Sequence, residues 1–235
     1  MSSAPPISTM DQAYFGQYAA GYSPYTERDM DLILSELTGV LAEAPPRTVC
    51  EMGSADGQFS GELAKRLTGK PTLIGIDIVQ SLLRRFPGSG VCASAFETPF
   101  PAGSIDLVCY PGTLHHLEPF GTAVRELARI LSPPGLAFFM EPNYHHPQRR
   151  FFMANKWMYH RYRKANDVPV RVDELRSLLE AEGLTTLSLR YVNIDFRKPG
   201  LLQRIQNRVS RLPWPDSMDR YVMPWFILVA HRAKR

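Results

Sequence analysis

The sequence predicts an α/β protein whose doubly wound sheet is mostly parallel. Residues 48–50 are β-branched or small and apolar, as a buried strand requires, and a turn rich in small residues follows at 51–57. Phe59, Leu63 and Leu67 then recur at the four-residue spacing of one helix face. With 235 residues and 44% hydrophobic content, the chain is long enough for one well-buried domain.

The remaining elements follow from periodicity and from turn residues. A helix is expected before the first strand, at 29–41, and an apolar run that ends at Asp77 forms the second strand. Asp173 is expected to cap the helix that begins at residue 172, and Gly183 to end it. Further helices are expected at 81–86, 123–131 and 149–164, and further strands from 91 and at 101–110, 136–140, 185–192 and 225–231.

The turn at 51–57 is suited to bringing backbone close to a ligand. Gly53 and Gly57 lack side chains, and the helix that follows offers unpaired N–H groups at its N-terminus. An open α/β sheet places a carboxylate near the end of the next strand, where it accepts hydrogen bonds from ribose hydroxyls. Since ligands bind at the carboxyl ends of such strands, Glu51 and Asp77 are expected to face one crevice.

Composition excludes several classes of protein. No apolar run approaches the length of about 18 residues that a membrane span needs, and residues 1–12 lack the pattern of a signal peptide, so a soluble, cytoplasmic chain is expected. Cys50, Cys92 and Cys109 lie in or beside apolar runs without metal-ligand spacing. They are expected to be reduced core residues, and no metal site is expected.

Charge is distributed unequally along the chain. Residues 1–141 contain 9 Lys or Arg and 15 Asp or Glu, whereas residues 142–235 contain 18 and 8. An anionic substrate, a membrane surface or a nucleic acid would each fit the basic half, and so would a solvated face. The segment 149–164 combines basic and aromatic residues in a helical pattern, which predicts peripheral membrane contact as one option.

The loop does not match the dinucleotide fingerprint G-x-G-x-x-G, because no third glycine follows at the required spacing. Glu51, Gly53, Ala55 and Gly57 instead resemble motif I of the Rossmann-like, class I methyltransferases that use S-adenosylmethionine, E/D-x-G-x-G-x-G. Alanine stands at the position of the middle glycine. The other interpretation of the loop is a packing device between strand and helix.

A second block supports the resemblance. Residues 113–119, TLHHLEP, are similar to the LHHL loop of the type 11 branch of this family, and 123–135 are similar to its next helix and turn. The resemblance covers residues 47–142 and implies a seven-stranded sheet with an antiparallel last strand. It also implies a single domain divided into an N-terminal helical cap (1–46), a cofactor-binding core (47–142) and two substrate-lid insertions (143–170 and 193–220).

The resemblance implies S-adenosylmethionine as cofactor and S-adenosylhomocysteine as product. Ser94 stands where the family places an aspartate that accepts from the adenine amino group, so this contact is expected from its hydroxyl, from the Ala95 or Phe96 backbone, or from stacking by Phe96. The N-terminal aromatic residues are expected either to close over the cofactor or to dock on the sheet. The complete set of expected cofactor residues is Tyr18, Tyr25, Glu51, Gly53, Ser54, Ala55, Gly57, Asp77, Ile78, Ser94, Ala95, Phe96, Tyr110 and His115.

The catalytic residues are expected on neighbouring strands. By the family's strand order, Glu141 at the end of the fifth strand emerges beside His115 and His116. A carboxylate that binds one imidazole nitrogen fixes the tautomer and raises the basicity of the other nitrogen. His115 or His116 is therefore expected to act as general base with Glu141 orienting it. The alternative is that the LHHL histidines are structural.

The function expected from these residues is methyl transfer in biosynthesis, to a small apolar or aromatic acceptor that can carry negative charge. Lipids, quinones and specialised metabolites all fit, and the oligomeric state is left open. A nucleic-acid methyltransferase is an alternative, but the tetrapeptide N-P-P-Y or D-P-P-Y is absent at 109–112. A second alternative is a protein of this fold that does not transfer methyl groups.

Overall fold

The computed structural model describes residues 25–41, 45–155, 168–194 and 201–233. The strands are β1 (Thr48–Met52), β2 (Thr72–Asp77), β3 (Ser89–Cys92), β4 (Ile105–Pro111), β5 (Leu131–Pro142), β6 (Leu184–Val192) and β7 (Trp225–Arg232). The helices are α1 (Glu27–Leu41), α2 (Gln58–Ala64), α3 (Gln80–Leu83), α4 (Phe120–Ile130), α5 (Pro147–Ala154), α6 (Val172–Ala181), α7 (Leu201–Ser210) and α8 (Asp219–Val222). Short 3₁₀ turns occupy Leu114–His116 and Asp216–Met218.

The seven strands form one sheet in the order β3-β2-β1-β4-β5-β7-β6. Pairs from β3 to β5 are parallel, and β7 runs antiparallel to both β5 and β6. The predicted α/β sheet with its antiparallel last strand is therefore confirmed. The chain moves outward from β1 to β3 and then returns to β4 on the other side, so the strand order reverses between β1 and β4. Open sheets bind ligands at this point, beyond the carboxyl ends of the strands.

Helices cover both faces of the sheet. Side chains alternate along β1, so Val49 packs with Ile33 of α1 and Phe59 of α2, whereas Cys50 joins the cluster that includes Val124 of α4 and Leu175 of α6. Both clusters are fully buried and made almost entirely of aliphatic and aromatic side chains. This three-layer arrangement fixes the strand ends on which the site is built.

Helix α1 belongs to one of these layers. Its buried stripe, Met30, Ile33, Leu34, Leu37 and Leu41, follows the helical repeat. The helix begins with a reciprocal cap, in which Asp29 N–H donates to the Thr26 hydroxyl and Thr26 N–H donates to the Asp29 carboxylate. The described part of the expected N-terminal cap therefore lies on the face of the sheet. Residues 1–24 lie outside the described range.

The glycines between α3 and β3 have a packing role. The third strand was expected from residue 91 and the helix before it at 81–86, but β3 already begins at Ser89 and α3 ends at Leu83. A Cβ atom at Gly88 would lie 2.3 Å from the carbonyl oxygen of Leu73, and one at Gly90 would lie 2.8 Å from Leu83 Cβ. Glycine at these positions allows close packing of β3, which composition alone does not distinguish from a turn.

Two further expectations are corrected. Arg171, not Asp173, is at the N-cap of α6, and Asp173 lies in the first turn, where its charge still favours the helix dipole. Cys50 and Cys109 are buried free thiols as expected, but Cys92 is exposed because it ends the edge strand β3. Among the described residues, no helix is long and apolar enough to cross a bilayer.

Candidate functional site

The candidate site lies where the loops after β1 and β4 meet. Gly53, in the first loop, is exposed and has a φ of +64°. A Cβ atom at this position would lie 2.4 Å from Cγ2 of Thr113 in the second loop. Only glycine therefore allows the two loops to approach this closely while the backbone stays accessible.

Asp77 holds the first loop in place. Its Oδ2 accepts the N–H of Ala55 at 2.8 Å, and its Oδ1 accepts the N–H of Val79 at 2.8 Å. Burial raises the pKa of Asp77, while these backbone hydrogen bonds act in the opposite direction. Ala55 has a φ of +46°, the one positive value of a non-glycine residue in the described part of the chain. Each carboxylate oxygen can accept a further hydrogen bond, so Asp77 can also accept hydrogen bonds from ribose hydroxyls.

Glu51 does not face the crevice, contrary to expectation. It is buried beneath α2, where Oε2 accepts the hydroxyl of Ser60 at 2.6 Å and the Ser60 N–H at 3.0 Å. Burial raises the pKa of Glu51 from its usual 4.5 to about 8, although the Ser60 hydrogen bonds oppose the shift. The cause is strand alternation, which directs Glu51 to the same face of the sheet as Val49. Glu51 therefore supports the loop from below.

The segment after β3 forms a tight turn. The Ser94 hydroxyl accepts the N–H of Phe96 at 3.2 Å, and the Ser94 carbonyl accepts the N–H of Glu97 at 3.3 Å. Ser94 and Phe96 are half-buried, as is Ile78 after β2, whereas Ala95 is buried in the core. Ser94, Phe96 and Ile78 thus follow strands that end at the same edge as β1 and β4.

Four other residues that were expected to bind the cofactor differ in their positions. Tyr25 is half-buried, and its hydroxyl lies 4.0 Å from the position that a Cβ of Gly112 would take, beside the end of β4. Tyr110 is 1% exposed and stacks on Phe139, so its ring belongs to the core and presents no face to the crevice. Ser54 is also buried, next to Gly75. Tyr18 lies outside the described residues.

Gly57 acts mainly in packing. A Cβ atom there would lie 2.4 Å from both Phe86 Cδ2 and Pro87 Cδ, and its φ of +76° disfavours any side chain. The interpretation of the loop as a packing device therefore holds at Gly57. Gly57 allows the start of α2 to pack on residues 86–87, and Gly53 leaves room at the crevice.

Glu141 organises the loop after β4. Its Oε1 accepts the N–H groups of Thr113 at 3.0 Å and Leu114 at 2.7 Å, and its Oε2 lies 2.6 Å from Nδ1 of His115. Glu141 is 0% exposed and His115 is 9% exposed. The expected juxtaposition of Glu141 with the LHHL loop is therefore present, and the ring that it contacts is His115. The His116 ring lies beside it, with 3.9 Å between ring centroids.

Asn143 joins the two insertions that follow β5 and β6. It is fully buried, and its Nδ2 donates to the carbonyl oxygens of Arg220 and Met223 at 2.8 Å each. Its Oδ1 accepts the N–H of His145 at 3.0 Å, and its own N–H donates to the carbonyl of Pro224. Sequence reasoning did not identify Asn143, although a polar residue directly after a buried strand is a usable signal.

A cationic cluster lies next to this joint. Arg220 Nη2 is 2.8 Å from Nε2 of His145 and 2.6 Å from Oδ2 of Asp173. Burial and the Arg220 guanidinium lower the pKa of His145, which favours the neutral ring as acceptor. The Arg171 guanidinium lies 4.5 Å from the Tyr144 ring centroid. Two guanidinium groups thus stand close to the end of β5.

The two insertions expose apolar side chains. In α7, Leu201 and Ile205 are 75% and 51% exposed. In α5, Phe151 is 61% exposed. Residues 156–167, with His160 and most of the basic aromatic segment, lie outside the described range, as do residues 195–200. No group of metal-binding side chains occurs among the described residues.

The residues at this edge fit a nucleoside cofactor. The exposed glycine backbone at Gly53, the left-handed loop at Ala55 and the spare acceptor capacity of Asp77 are the features such a ligand needs. Glu51, Ser54, Gly57, Ala95 and Tyr110 support these features from the core.

Known proteins that are similar to this chain are consistent with its observed architecture. A family model described as a methyltransferase domain matches residues 23–189. A malonyl-[acyl-carrier protein] O-methyltransferase of Halorhodospira halophila is 27% identical over 201 residues, which cover 77% of this chain and 68% of the relative.

Solved structures show the same fold. A protein of Galdieria sulphuraria, described as a sarcosine dimethylglycine methyltransferase, superposes with a TM-score of 0.66 at 17% identity over 96% of this chain and 99% of that one. The methyltransferase bound to the Trm112 methyltransferase activator of Haloferax volcanii gives a TM-score of 0.65 at 18% identity over 95% and 98% of the two chains.

Proposed function

We propose that this chain, which belongs to the methyltransferase-domain family of class I, S-adenosylmethionine-dependent enzymes, methylates a small acceptor that must lose a proton. The proposed acceptor is apolar or aromatic and carries a hydroxyl, amine or acidic C–H group. Lipids, quinones and specialised metabolites belong to this class. The observation that carries the proposal is the buried pair of His115 and Glu141 beside the crevice.

The pair defines which imidazole nitrogen would act as base. Glu141 already accepts two backbone N–H groups through Oε1, and its Oε2 faces the imidazole. An ionised carboxylate is only an acceptor, so Nδ1 of His115 carries the proton at the 2.6 Å contact. The lone pair is then on Nε2, and Nε2 takes the acceptor's proton. The resulting imidazolium is stabilised by the adjacent Glu141 charge.

The residues proposed to hold S-adenosylmethionine are those at the ends of β1, β2 and β3. Gly53 and Ala55 would contact it through backbone, Asp77 would accept the ribose hydroxyls, and the Ser94–Phe96 turn would bind the adenine. When bound, the cofactor supplies a methyl group already activated on a sulfonium. The protein's work is to orient the acceptor, exclude water and remove the proton.

The insertions at 143–170 and 193–220 are proposed to form the acceptor side of the site. Both begin at the edge where β5 and β6 end, and Asn143 ties them together. Arg171, which is exposed near this joint, supports an acceptor that carries negative charge, because a guanidinium is a good carboxylate or phosphate partner.

The relative from Halorhodospira halophila supports a second candidate, methylation of a carboxylate on a carrier-bound acyl chain. The two candidates differ in their need for a base. A carboxylate has already lost its proton at neutral pH, so it requires no proton removal. The His115–Glu141 pair therefore favours the first candidate.

The test uses the purified protein, S-adenosylmethionine and two panels of acceptors, phenols or quinols and fatty acids. Formation of S-adenosylhomocysteine and of methylated product is measured for the wild type, His115→Gln and His116→Gln. Removing a general base lowers turnover by on the order of 100-fold, so His115→Gln is expected to do so with a phenol or quinol. Turnover that survives both substitutions would contradict the base, and activity confined to fatty acids would favour the second candidate.

A further inference from the structure

Helix α7 has its polar side against the protein and its apolar side toward solvent. Gln206, Asn207 and Ser210 are 9%, 8% and 6% exposed. The Ser210 hydroxyl donates to the carbonyl of Val222, and Gln203 Nε2 donates to the carbonyl of Ile194. This orientation is the reverse of that of an ordinary surface helix, whose apolar stripe faces the core.

The outward side of α7 is a continuous aliphatic stripe. Leu201, Ile205 and Val209 follow the helical repeat and are 75%, 51% and 42% exposed, and Leu212 extends the stripe at 55%. Trp214 lies at its end, with its indole N–H donated to the carbonyl of Val209 at 2.8 Å. The stripe therefore presents hydrocarbon with no unsatisfied indole donor.

Arginines flank one side of this stripe. Arg204, Arg208 and Arg211 are exposed, and the segment 201–215 contains no acidic residue and no lysine. On a helical projection Arg204 and Arg208 fall between the aliphatic stripe and the buried polar side, with Arg208 next to Leu201, and Arg211 follows directly after the helix. Helices that lie in a membrane interface have this arrangement, with aliphatic and Trp side chains on one side and arginines at the boundary.

The stripe lies at the edge of the molecule that carries the candidate site. Helix α7 follows β6, whose last residue, Val192, pairs with Trp225, and Trp225 in turn pairs with Pro142 at the end of β5. Strand β5 ends at the same edge as β1, β2 and β4, because these strands are parallel. In α5, which follows β5, Phe151 is also exposed.

We propose that α7 docks this protein on an anionic lipid surface, with its aliphatic stripe in the interface and its arginines on the lipid phosphates. A second copy of the chain fits less well, because a two-fold contact through α7 would bring two sets of arginines together. The proposal does not depend on the acceptor. A docked α7 would place the edge that carries the candidate site close to a lipid-soluble substrate.

The test is co-sedimentation of the purified full chain with vesicles of phosphatidylcholine alone and of an equimolar mixture with phosphatidylglycerol. We expect binding to the mixed vesicles that weakens with added salt. Each arginine removed is expected to lower the affinity about fivefold. The triple variant in which Gln replaces Arg204, Arg208 and Arg211 should therefore bind about 100-fold more weakly. Ile205→Gln with Val209→Gln should weaken it about tenfold or more.

Matched controls remove the same chemistry elsewhere. Changing Arg84, Arg125 and Arg176 to Gln removes equal charge from other exposed positions, and Leu187→Gln removes an aliphatic side chain that is 47% exposed on β6. Both control variants should bind the mixed vesicles at least about tenfold more tightly than the α7 arginine variant.

Three outcomes would overturn the proposal. The first is no binding of the wild type to the mixed vesicles, and the second is equal loss in the α7 and control variants. The third is an oligomer, seen by analytical ultracentrifugation, that Ile205→Gln dissociates while the vesicles bind nothing; it would assign the stripe to a second copy. The arginine variant changes only exposed side chains, so it tests the proposal even if the apolar variant does not fold.

Discussion

Gly53 and Thr113 are in contact across the point where the strand order reverses, and the space between them has no room for a side chain. A Cβ atom at Gly53 would lie 2.4 Å from Cγ2 and 2.7 Å from Oγ1 of Thr113. The loop after β1 and the loop after β4 therefore form one unit. This contact joins the glycine loop to the loop whose Thr113 N–H donates to Glu141.

Gly53→Ala is expected to destabilise the protein by about 3 kcal/mol, from the left-handed backbone and the overlap with Thr113 together. Gly103 is the matched control, since it has a φ of +67° and nothing within 4 Å of its Cβ position. Gly103→Ala should cost only about 1 kcal/mol, for the backbone alone. Denaturant unfolding measures both, and Thr113→Ala in the Gly53→Ala background should recover part of the difference. Equal losses at the two glycines would contradict the contact.

Glu51 should make stability depend on pH. Its pKa is raised from 4.5 to about 8 in the folded protein, so the folded state binds more protons than the unfolded state between these values. The contribution of Glu51 to folding stability is therefore fully present below about pH 4.5, and it is lost as pH rises toward 8. Glu51→Gln keeps an acceptor for Ser60 without a charge. The free energy of unfolding of the variant, measured with urea, should therefore rise relative to that of the wild type as pH rises from about 5 to 8. A constant difference across this range would contradict the shift.

Ser94→Asp should tighten the binding of S-adenosylmethionine by about fivefold, because a carboxylate is a stronger acceptor than a hydroxyl. Aspartate can also accept the Phe96 N–H that Ser94 accepts now, so the turn should be retained. Ser94→Asn keeps the turn without the charge and is the control. Calorimetric titration compares the three proteins. Equal affinity for Ser94→Asp and Ser94→Asn would place the adenine contact elsewhere.

Asn143→Asp should destabilise the joint between the insertions by about 3 kcal/mol, because it removes a donor to two buried carbonyls and adds an acidic group there. For a chain of this size, that corresponds to a fall in melting temperature of about 6–12 °C. Asn155→Asp, on an exposed residue after α5, should change stability by less than about 0.5 kcal/mol. Similar losses in both variants would mean that the Asn143 contacts do not hold the insertions.

The sequence predicted the parts of the site that depend on position along a strand. The motif after β1, Asp77 at the end of β2 and the pairing of Glu141 with the LHHL loop all follow from strand order, and the structure has them. Strand ends are fixed by local composition, and the resemblance supplied the order of the strands.

The parts of the site that could not be predicted depend on which face of a strand or helix packs against the rest of the protein. Glu51 and Tyr110 belong to the right strands, but alternation turns them into the core. Helix α7 has a clear periodicity, yet nothing in that pattern states that Gln206 and Asn207 face inward while Ile205 faces solvent. Buried hydrogen bonds, such as those of Asn143, decide these cases, and they join residues far apart in the chain.

The central claim is that the crevice between β1 and β4 binds S-adenosylmethionine. The most direct measurement is calorimetric titration of the purified protein with S-adenosylmethionine and S-adenosylhomocysteine, with Gly53→Arg and Asp77→Ala as variants and Gly103→Ala as control. Micromolar binding of both ligands, kept in Gly103→Ala and lost in the other two folded variants, is the predicted result. Absence of binding to the wild type, or full binding by Gly53→Arg and Asp77→Ala, would contradict it.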